Sequence, residues 1–505
     1  MLRCAASHIQ EDEISIDDHI MKYDVIIIGA GLGGLECGSI LSRQGLSVLV
    51  LEQQRQPGGC MQSYQRGGST FDTGLHYVGG LDEGQPLHQA FKDLGLLELP
   101  WQRLDPEGFD RITIAGETYA FHQGYDEFVR SMAAHFPSER RALQQYADLL
   151  RRSDDEQLAS LHNPGGKENA FLDKLFTTNA YQWLCETFKD PLLVNVISGA
   201  SLKMELHKET LPLFTFTHGN GSFIQSSWRL KGSGNALVAK LTDNIRHAGG
   251  EVMCGMRVTE LTEHDGRIDS AVCSNGERFE ADTFISDLHP YTTCSLVKDS
   301  TLIKGIYKRR MARLENTFGM FTASLQLKPG ALPYLNHNKF IYEKPNVWEL
   351  SEENHDGYGV LVSCPWSDTG HAQTIDLLSP MLWSECQQWQ DTHIGRRGED
   401  YTSFKMHHAQ RLIGIAEQQI PGLGEAVSSI HASTPLTYRD YNNTPNGSAY
   451  GIRKDCANPM MTILTPRTPV PNLFLTGQNL MLHGLHGVTM TALFTCAAVK
   501  RHKEL

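Results

Sequence analysis

The run Tyr23-Asp24-Val25-Ile26-Ile27-Ile28 passes directly into Gly29-Ala30-Gly31-Leu32-Gly33-Gly34, and this junction constrains the fold more than any other segment. A short β-branched apolar run reads as a strand buried on both faces, the usual state of a central parallel strand. Leu35 to Gln44 then reads as a helix ended by Gly45, and Ser47–Glu52 as the next strand, which completes a β-α-β unit. In the pattern G-x-G-x-x-G, Gly29 permits the tight turn, Gly31 lets a pyrophosphate approach the backbone, and Gly34 lets helix and strand pack closely. Amides and dipole at the helix start favour a diphosphate without any cationic side chain. Glu52 ends the second strand at the spacing where a carboxylate accepts hydrogen bonds from an adenosine ribose. Gly29, Gly31, Gly33, Gly34 and Glu52 therefore mark a dinucleotide site.

Composition removes several classes. The chain has 505 residues, with 45 Lys plus Arg against 58 Asp plus Glu and a net charge of −13, so a phosphate-backbone footprint has no electrostatic support and nucleic acid is excluded as a partner. The 11 Cys form no CxxC pair, and their odd number argues against a secreted disulfide framework, so a cytoplasmic location is expected. Acidic residues at Glu11, Asp12, Glu13, Asp17 and Asp18 speak against a signal or transit peptide. No apolar stretch reaches eighteen residues, so no spanning helix is expected. The 22 His show no metal-ligand spacing, and no metal is expected.

Along the chain, residues 1–21 read as a loose N-terminal extension. The dinucleotide domain is expected in three pieces, 22–99, 221–306 and 465–505, because strand and glycine-turn patterns return around Lys231–Gly250 and again at Pro471–Gly477. Between them, 100–220 reads as a substrate or lid region and 307–464 as a substrate domain. Short strands are expected at Ile112–Phe121 and Pro212–Phe216, at Thr317–Leu327 and Tyr358–Cys364, with a long helix at Lys405–Gln419 and a last apolar helix from Gly487 to Lys500. The fold class is thus α/β, a Rossmann-like domain joined to a discontinuous mixed α+β domain.

A second constellation follows the first unit. Gly58 and Gly59 in Pro57-Gly58-Gly59-Cys60 permit close passage of a bulky cofactor, and Asp72 in Phe71-Asp72-Thr73-Gly74-Leu75-His76-Tyr77 either orients cofactor groups or caps a turn. His76 is a proton-relay candidate or a packed imidazole. Cys60 has no second local thiol and is not read as a redox disulfide.

With Tyr23–Gly34, Val48–Gly59, Phe71–Gly80, Lys231–Gly250 and Leu473–Gly487 together, the chain resembles the flavoprotein amine-oxidase-like superfamily, particularly its phytoene desaturase, carotenoid isomerase and retinol saturase group. The likeness runs from Tyr23 over nearly the whole chain and is weakest from about 100 to 220. It implies FAD as the dinucleotide, with Gly477, Gly487, Val488 and Thr489 as a second, C-terminal flavin contact and Val252 beside the adenine. Asp287 or His289 borders the cofactor or simply ends a strand.

What the resemblance implies for chemistry is redox work on carbon–carbon double bonds of an isoprenoid, retinoid or other hydrophobic polyene. Saturation is favoured because His76-Tyr77 and Thr476-Gly477-Gln478 match the saturase-like pattern. Adding or removing hydrogen across such a bond needs a proton path as well as the flavin, and His76, His483 and His486 are the catalytic candidates because they flank flavin-facing glycines. The alternatives are a polyene isomerase or desaturase, a less favoured amine oxidase, and a noncatalytic flavin- and lipid-binding protein. The reductant is NAD(P)H or a separate electron-transfer partner, since no second glycine motif is evident. A hydrophobic substrate also suggests peripheral membrane contact, with Phe171–Phe176 as the local candidate face. Oligomeric state leaves no trace in the sequence.

Overall fold

The computed structural model describes residues 22–162, 169–298 and 300–503, so the extension expected over 1–21 lies outside the described residues. The first unit forms as its pattern dictates, with β1 (Lys22–Ile28), α1 (Leu32–Arg43) and β2 (Val48–Glu52) in immediate succession. Val25, Ile26 and Ile27 have no exposed surface, which is why an uninterrupted apolar run suits this strand. Later segments complete the layer: α2 (Gly234–His247), β3 (Glu251–Cys254), β4 (Val258–His264), β5 (Arg267–Cys273), β6 (Arg278–Ser286), β7 (Leu473–Leu475) and α3 (Gly484–Lys503).

The sheet runs β3-β2-β1-β6-β5-β4, and β7 joins the far half of β6. Val25 pairs in parallel with Val48 on one side and Thr283 on the other, and Phe284 pairs with Leu473. β4 and β5 are antiparallel additions at one edge. α1 is buried almost all round because the sheet lies on one side and α2 and α3 on the other. Gly38 makes that sandwich possible, since a Cβ there would lie 2.8 Å from Ile245 Cδ1 of α2.

A second, seven-stranded sheet is ordered Val427–Ser433, Gly319–Leu327, Thr374–Met381, Gly359–Ser363, Asn338–Tyr342, Asp110–Ile114 and Glu117–Phe121. One face is covered by the helix Glu399–Glu417, the other by helices drawn from residues 125–225. The region 100–220 contributes two strands to this sheet, and Asp110–Ile114 pairs in parallel with Asn338–Tyr342. Arg229 ties this sheet to the strand Ser227–Leu230, donating to Asn338 Oδ1 at 2.7 Å and to the Leu335 carbonyl at 2.9 Å.

Three local expectations change. Pro212–Phe216 is not a strand; Pro212 is the N-cap of a helix, Leu213–Gln225, whose near-complete burial removes the 3.6-residue alternation that would have revealed it. The last helix begins at Gly484 rather than Gly487. Phe171–Phe176 lies within the helix Ala170–Thr177, but Phe176 stacks on Phe214 with ring centres 4.1 Å apart, so this stripe packs inward. No helix among the described residues is long and apolar enough to cross a membrane.

Glu36 on α1 and Thr489 on α3 meet in the sandwich, 2.7 Å apart, and burial raises the Glu36 carboxyl to about 8. The Thr489 hydroxyl has one proton and a second acceptor, the Leu485 carbonyl at 2.9 Å, so a protonated Glu36 can donate to it, while Glu36 Oε2 has no partner among the described residues. Thr489→Val is expected to leave this acid unpartnered and cost about 1–3 kcal/mol, read from urea unfolding of the holoprotein at neutral pH.

Candidate functional site

Four backbone segments converge where β1 meets α1. Gly29 adopts φ +98°, and a side chain on Gly34 would collide with the Gly29 carbonyl, so both the turn and the helix approach require these residues. Gly58 donates its N–H to the Ala30 carbonyl at 2.7 Å, folding the second glycine pair over Gly31, and a Cβ on Gly59 would sit 3.2 Å from Gly31 Cα. From the distant end of the sequence Gly477, at φ +87°, passes so close that a Cβ on Gly33 would lie 3.0 Å from its Cα.

Asp287, directly after β6, sits at the centre. Its carboxylate accepts the amides of Gly31 and Gly34, and side chains on Gly31 or Gly477 would strike it. Burial, reinforced by the charge of Glu52, raises this acid to about 7 against the pull of those amides. Glu52 is 7% exposed and accepts the N–H groups of Ala30 and Gln54, each at 2.8 Å. Burial moves its carboxyl upward as well.

The resulting groove encloses about 350 Å³. Glu52, Gln54, Val258 and Thr259 line one end, the glycines its middle, and Cys60, Gln478, Asn479, Gly484 and Val488 its inner end. A trough whose floor admits no Cβ, a helix N-terminus behind it and a carboxylate at the end of β2 fit FAD, with the adenosine half outward. Val252 is not part of this wall: it packs against the helix layer, and Val258 lines the groove in its place. Gly487 and Thr489 also lie outside it, because α3 starts three residues earlier and Thr489 is engaged with Glu36. Asp72 accepts from Ser63 Oγ and the Gly234 amide, each at 2.8 Å, which makes it a cap for α2.

Cys60, Met61, Gln478 and Gly484 also border an inner cavity of about 170 Å³, so groove and cavity lie side by side and share these residues. His76, His483 and His486 all reach this cavity. His483 accepts the Glu205 amide at 3.3 Å and lies against Tyr450. His76 Nε2 and both ring nitrogens of His486 are buried without a hydrogen-bond partner among the described residues. Such atoms in a cavity wall are free to hydrogen-bond whatever occupies the cavity, water included. Burial lowers His76 to about 4, with Arg229 adding to the shift, and lowers His483 and His486 to about 3. All three are neutral imidazoles at pH 7, able to donate or accept a hydrogen bond but carrying no imidazolium proton.

Two further residues belong here. His218, brought in by the helix Leu213–Gln225, lines the same cavity with Nδ1 2.8 Å from the Phe214 carbonyl, so Nδ1 carries the proton and Nε2 is an acceptor. Reading 212–216 as a strand hid it. Lys203 reaches the cavity with its side chain only 9% exposed, Nζ 3.5 Å from Asp110 and 4.2 Å from the centre of the Phe223 ring. Asp110 is already held by Tyr77 at 2.8 Å and Asn338 at 2.9 Å, so the long Lys203 contact leaves ammonium protons to spare. A larger chamber of about 790 Å³ adjoins the inner cavity at Thr73 and Tyr438. Among the described residues no cluster of His, Cys, Asp or Glu is arranged to hold a metal.

A diphosphate bound at the Gly31 and Gly34 amides would have to displace the Asp287 carboxylate, so flavin binding is expected to favour its protonated form. Affinity should then fall as pH rises through about 7, by up to roughly tenfold per pH unit for one linked proton, and Asp287→Asn should flatten the dependence. Flavin fluorescence titration of the apoprotein against pH measures this directly.

Comparison with known proteins follows the same geometry. The profile of the flavin containing amine oxidoreductase family matches residues 32–500. The all-trans-retinol 13,14-reductase of Danio rerio is 24% identical over 538 aligned positions, spanning 95% of this chain and 86% of that protein. A chloroplastic prolycopene isomerase of an Oncidium hybrid cultivar is 23% identical, spanning 91% of this chain and 80% of its own length. Among solved structures, the cyclohexylamine oxidase of Brevibacterium oxydans superposes with a TM-score of 0.60 at 15% identity, covering 96% of this chain and 100% of that one.

Proposed function

The chain belongs to the flavin-containing amine oxidoreductases, and from that premise we propose that it is an FAD-dependent oxidoreductase acting on carbon–carbon double bonds of a retinoid, isoprenoid or other hydrophobic polyene, with saturation favoured. The observation that carries the reading is that Cys60, Met61, Gln478 and Gly484 line both the dinucleotide groove and the buried cavity beside it. Bound FAD supplies two-electron redox chemistry at that junction. The chain's own contribution is to exclude water, hold the substrate and manage its proton.

Water exclusion follows from burial: Leu202, Leu482 and Leu485 line the cavity and are nearly inaccessible. The start of α3 at Gly484 turns backbone N–H groups and the positive end of the helix dipole toward the junction, which favours negative charge there. The unpartnered nitrogens of His76 and His486 are placed to hydrogen-bond a bound ligand, and because burial disfavours their protonated form they orient it as neutral imidazoles and do not store a proton for it. The adjoining chamber gives an elongated molecule room that the inner cavity lacks. Similarity to a prolycopene isomerase supports a second reading, rearrangement of a polyene without net redox change.

Anaerobic stopped-flow absorbance separates the two. Reduced holoprotein mixed with retinoids and carotenoid precursors in micelles is expected to reoxidise its flavin and yield a saturated product. Rearranged product with no flavin reoxidation would establish the isomerase, and no response to the panel would sink the polyene reading. Parallel mixing of oxidised enzyme with NADPH identifies the reductant.

Lys203 refines the substrate. Asp110 already balances its charge, so the spare ammonium protons suit a neutral oxygen, a hydroxyl or carbonyl at one end of the polyene, better than a second anion. Lys203→Met is expected to raise KM for a polyene alcohol by roughly 10- to 100-fold, the value of a hydrogen bond from a charged donor, while leaving the corresponding hydrocarbon unaffected. Steady-state kinetics on the two substrates, with thermal unfolding as a control for the buried Asp110 charge left without its cation, decides it.

A further inference from the structure

Away from the site, large exposed apolar side chains of the described chain gather beside its most basic segment. Met460 is 85% exposed, Ile306 70% and Met461 45%. Residues 303–314 carry Lys304, Lys308, Arg309, Arg310 and Arg313 with no acid among them, in a chain whose net charge is −13. The helix Gly305–Arg313 sorts these residues by face. Tyr307, Met311 and, just beyond it, Leu314 pack into the core beneath the first sheet. Ile306, Arg309, Arg310 and Arg313 are spaced i, i+3, i+4 and i+7 and form the opposite stripe.

The methionines are fastened to that stripe. Arg310 donates to the carbonyl of Met460 at 2.8 Å and to that of Met461 at 3.3 Å, holding the turn Pro459–Thr462 beside the helix. The next acid along the chain, Glu315, is engaged by Arg453. Lys308 turns to the Val297 carbonyl at 2.7 Å and anchors the base of the helix. What faces outward is thus a set of exposed apolar tips flanked by the exposed Arg309 and Arg313.

We propose that this face docks the protein on the anionic leaflet of a lipid bilayer, with the Met460, Met461 and Ile306 tips entering the headgroup boundary and the arginines meeting lipid phosphates and carboxylates. Each cation near such a surface contributes roughly 1 kcal/mol, and a few apolar tips add to that without approaching the hold of a spanning helix. The charge complementarity is local and runs against the sign of the whole chain, which favours a bilayer of negative lipids over a random acidic surface. The inference goes beyond the proposed chemistry and does not depend on it.

Flotation of the full-length holoprotein with phosphatidylcholine vesicles, with and without phosphatidylserine, tests it. Binding is expected on the phosphatidylserine vesicles alone and should weaken as salt is raised. The double variant Arg309→Ala, Arg313→Ala should lower partitioning roughly thirty-fold, the product of two contributions of about 1 kcal/mol. The double variant Ile306→Ser, Met460→Ser should lower it severalfold, and because all four positions are exposed, flavin absorbance and thermal midpoint should stay unchanged. Equal binding to both vesicle types, no binding, or binding indifferent to these substitutions would overturn the proposal. A concentration-dependent dimer that Met460→Ser dissolves, without vesicle binding, would assign the face to a second copy of the chain instead.

Discussion

Everything in this molecule depends on how closely unlike parts of the backbone approach one another around the Asp287 carboxylate. Gly31 and Gly34 from the first turn, the Gly58-Gly59 loop and Gly477 from far along the chain meet within the space that ordinary side chains would fill. A buried acid held by amides at a helix start is costly when ionised, and here a second acid, Glu52, raises the cost further. The site is thus built with its electrostatic strain already in place, next to the region where a cofactor brings charge of its own. Glycine removes the steric obstacle; the protonation of one aspartate governs the electrostatic one.

The inner cavity follows a different rule. Four imidazoles line it, yet burial holds His76, His218, His483 and His486 neutral, so histidine density is no measure of acid strength. Their value is directional: a tautomer chosen by one ring nitrogen, as the Phe214 carbonyl chooses it for His218, leaves the other with a defined role. Lys203, Asp110, Tyr77, Asn338 and Arg229 add a connected polar spine that runs from the cavity into the second sheet. The cavity wall and the join between domains therefore share the same hydrogen bonds.

The first β-α-β unit was legible because its signals are local: an apolar run, spaced glycines and a carboxylate a fixed distance later. The return of the chain to this domain near 231–254 and 473–503 was legible for the same reason. The start of α3 was misplaced by three residues, since Gly484 and Gly487 both look like helix breakers and only the packing of Leu482 against Gly487 decides between them. Val258 escaped notice because its neighbour Val252 has the same side chain, and which strand faces the groove is settled by pairing, not by residue type. His218 and Lys203 were invisible for a stronger reason: a helix buried on all sides carries no periodic pattern, and the partner that gives Lys203 its meaning, Asp110, lies 93 positions away.

The packing of α3 on α1 joins residues as far apart in sequence as Glu36 and Thr489, 453 positions, and β7 reaches back to β6 across most of the second sheet's chain. Contacts of such sequence separation carry a large loop-closure entropy and form slowly. During synthesis, β1, α1 and β2 stay without their last covering helix until the segment 453 positions after Glu36 has been made. The exposed sheet face and the unfinished glycine turn must wait through that interval, a state prone to aggregation and open to chaperones. The glycine cluster around Asp287 is in consequence incomplete until the segment carrying Gly477 has been made and has folded back.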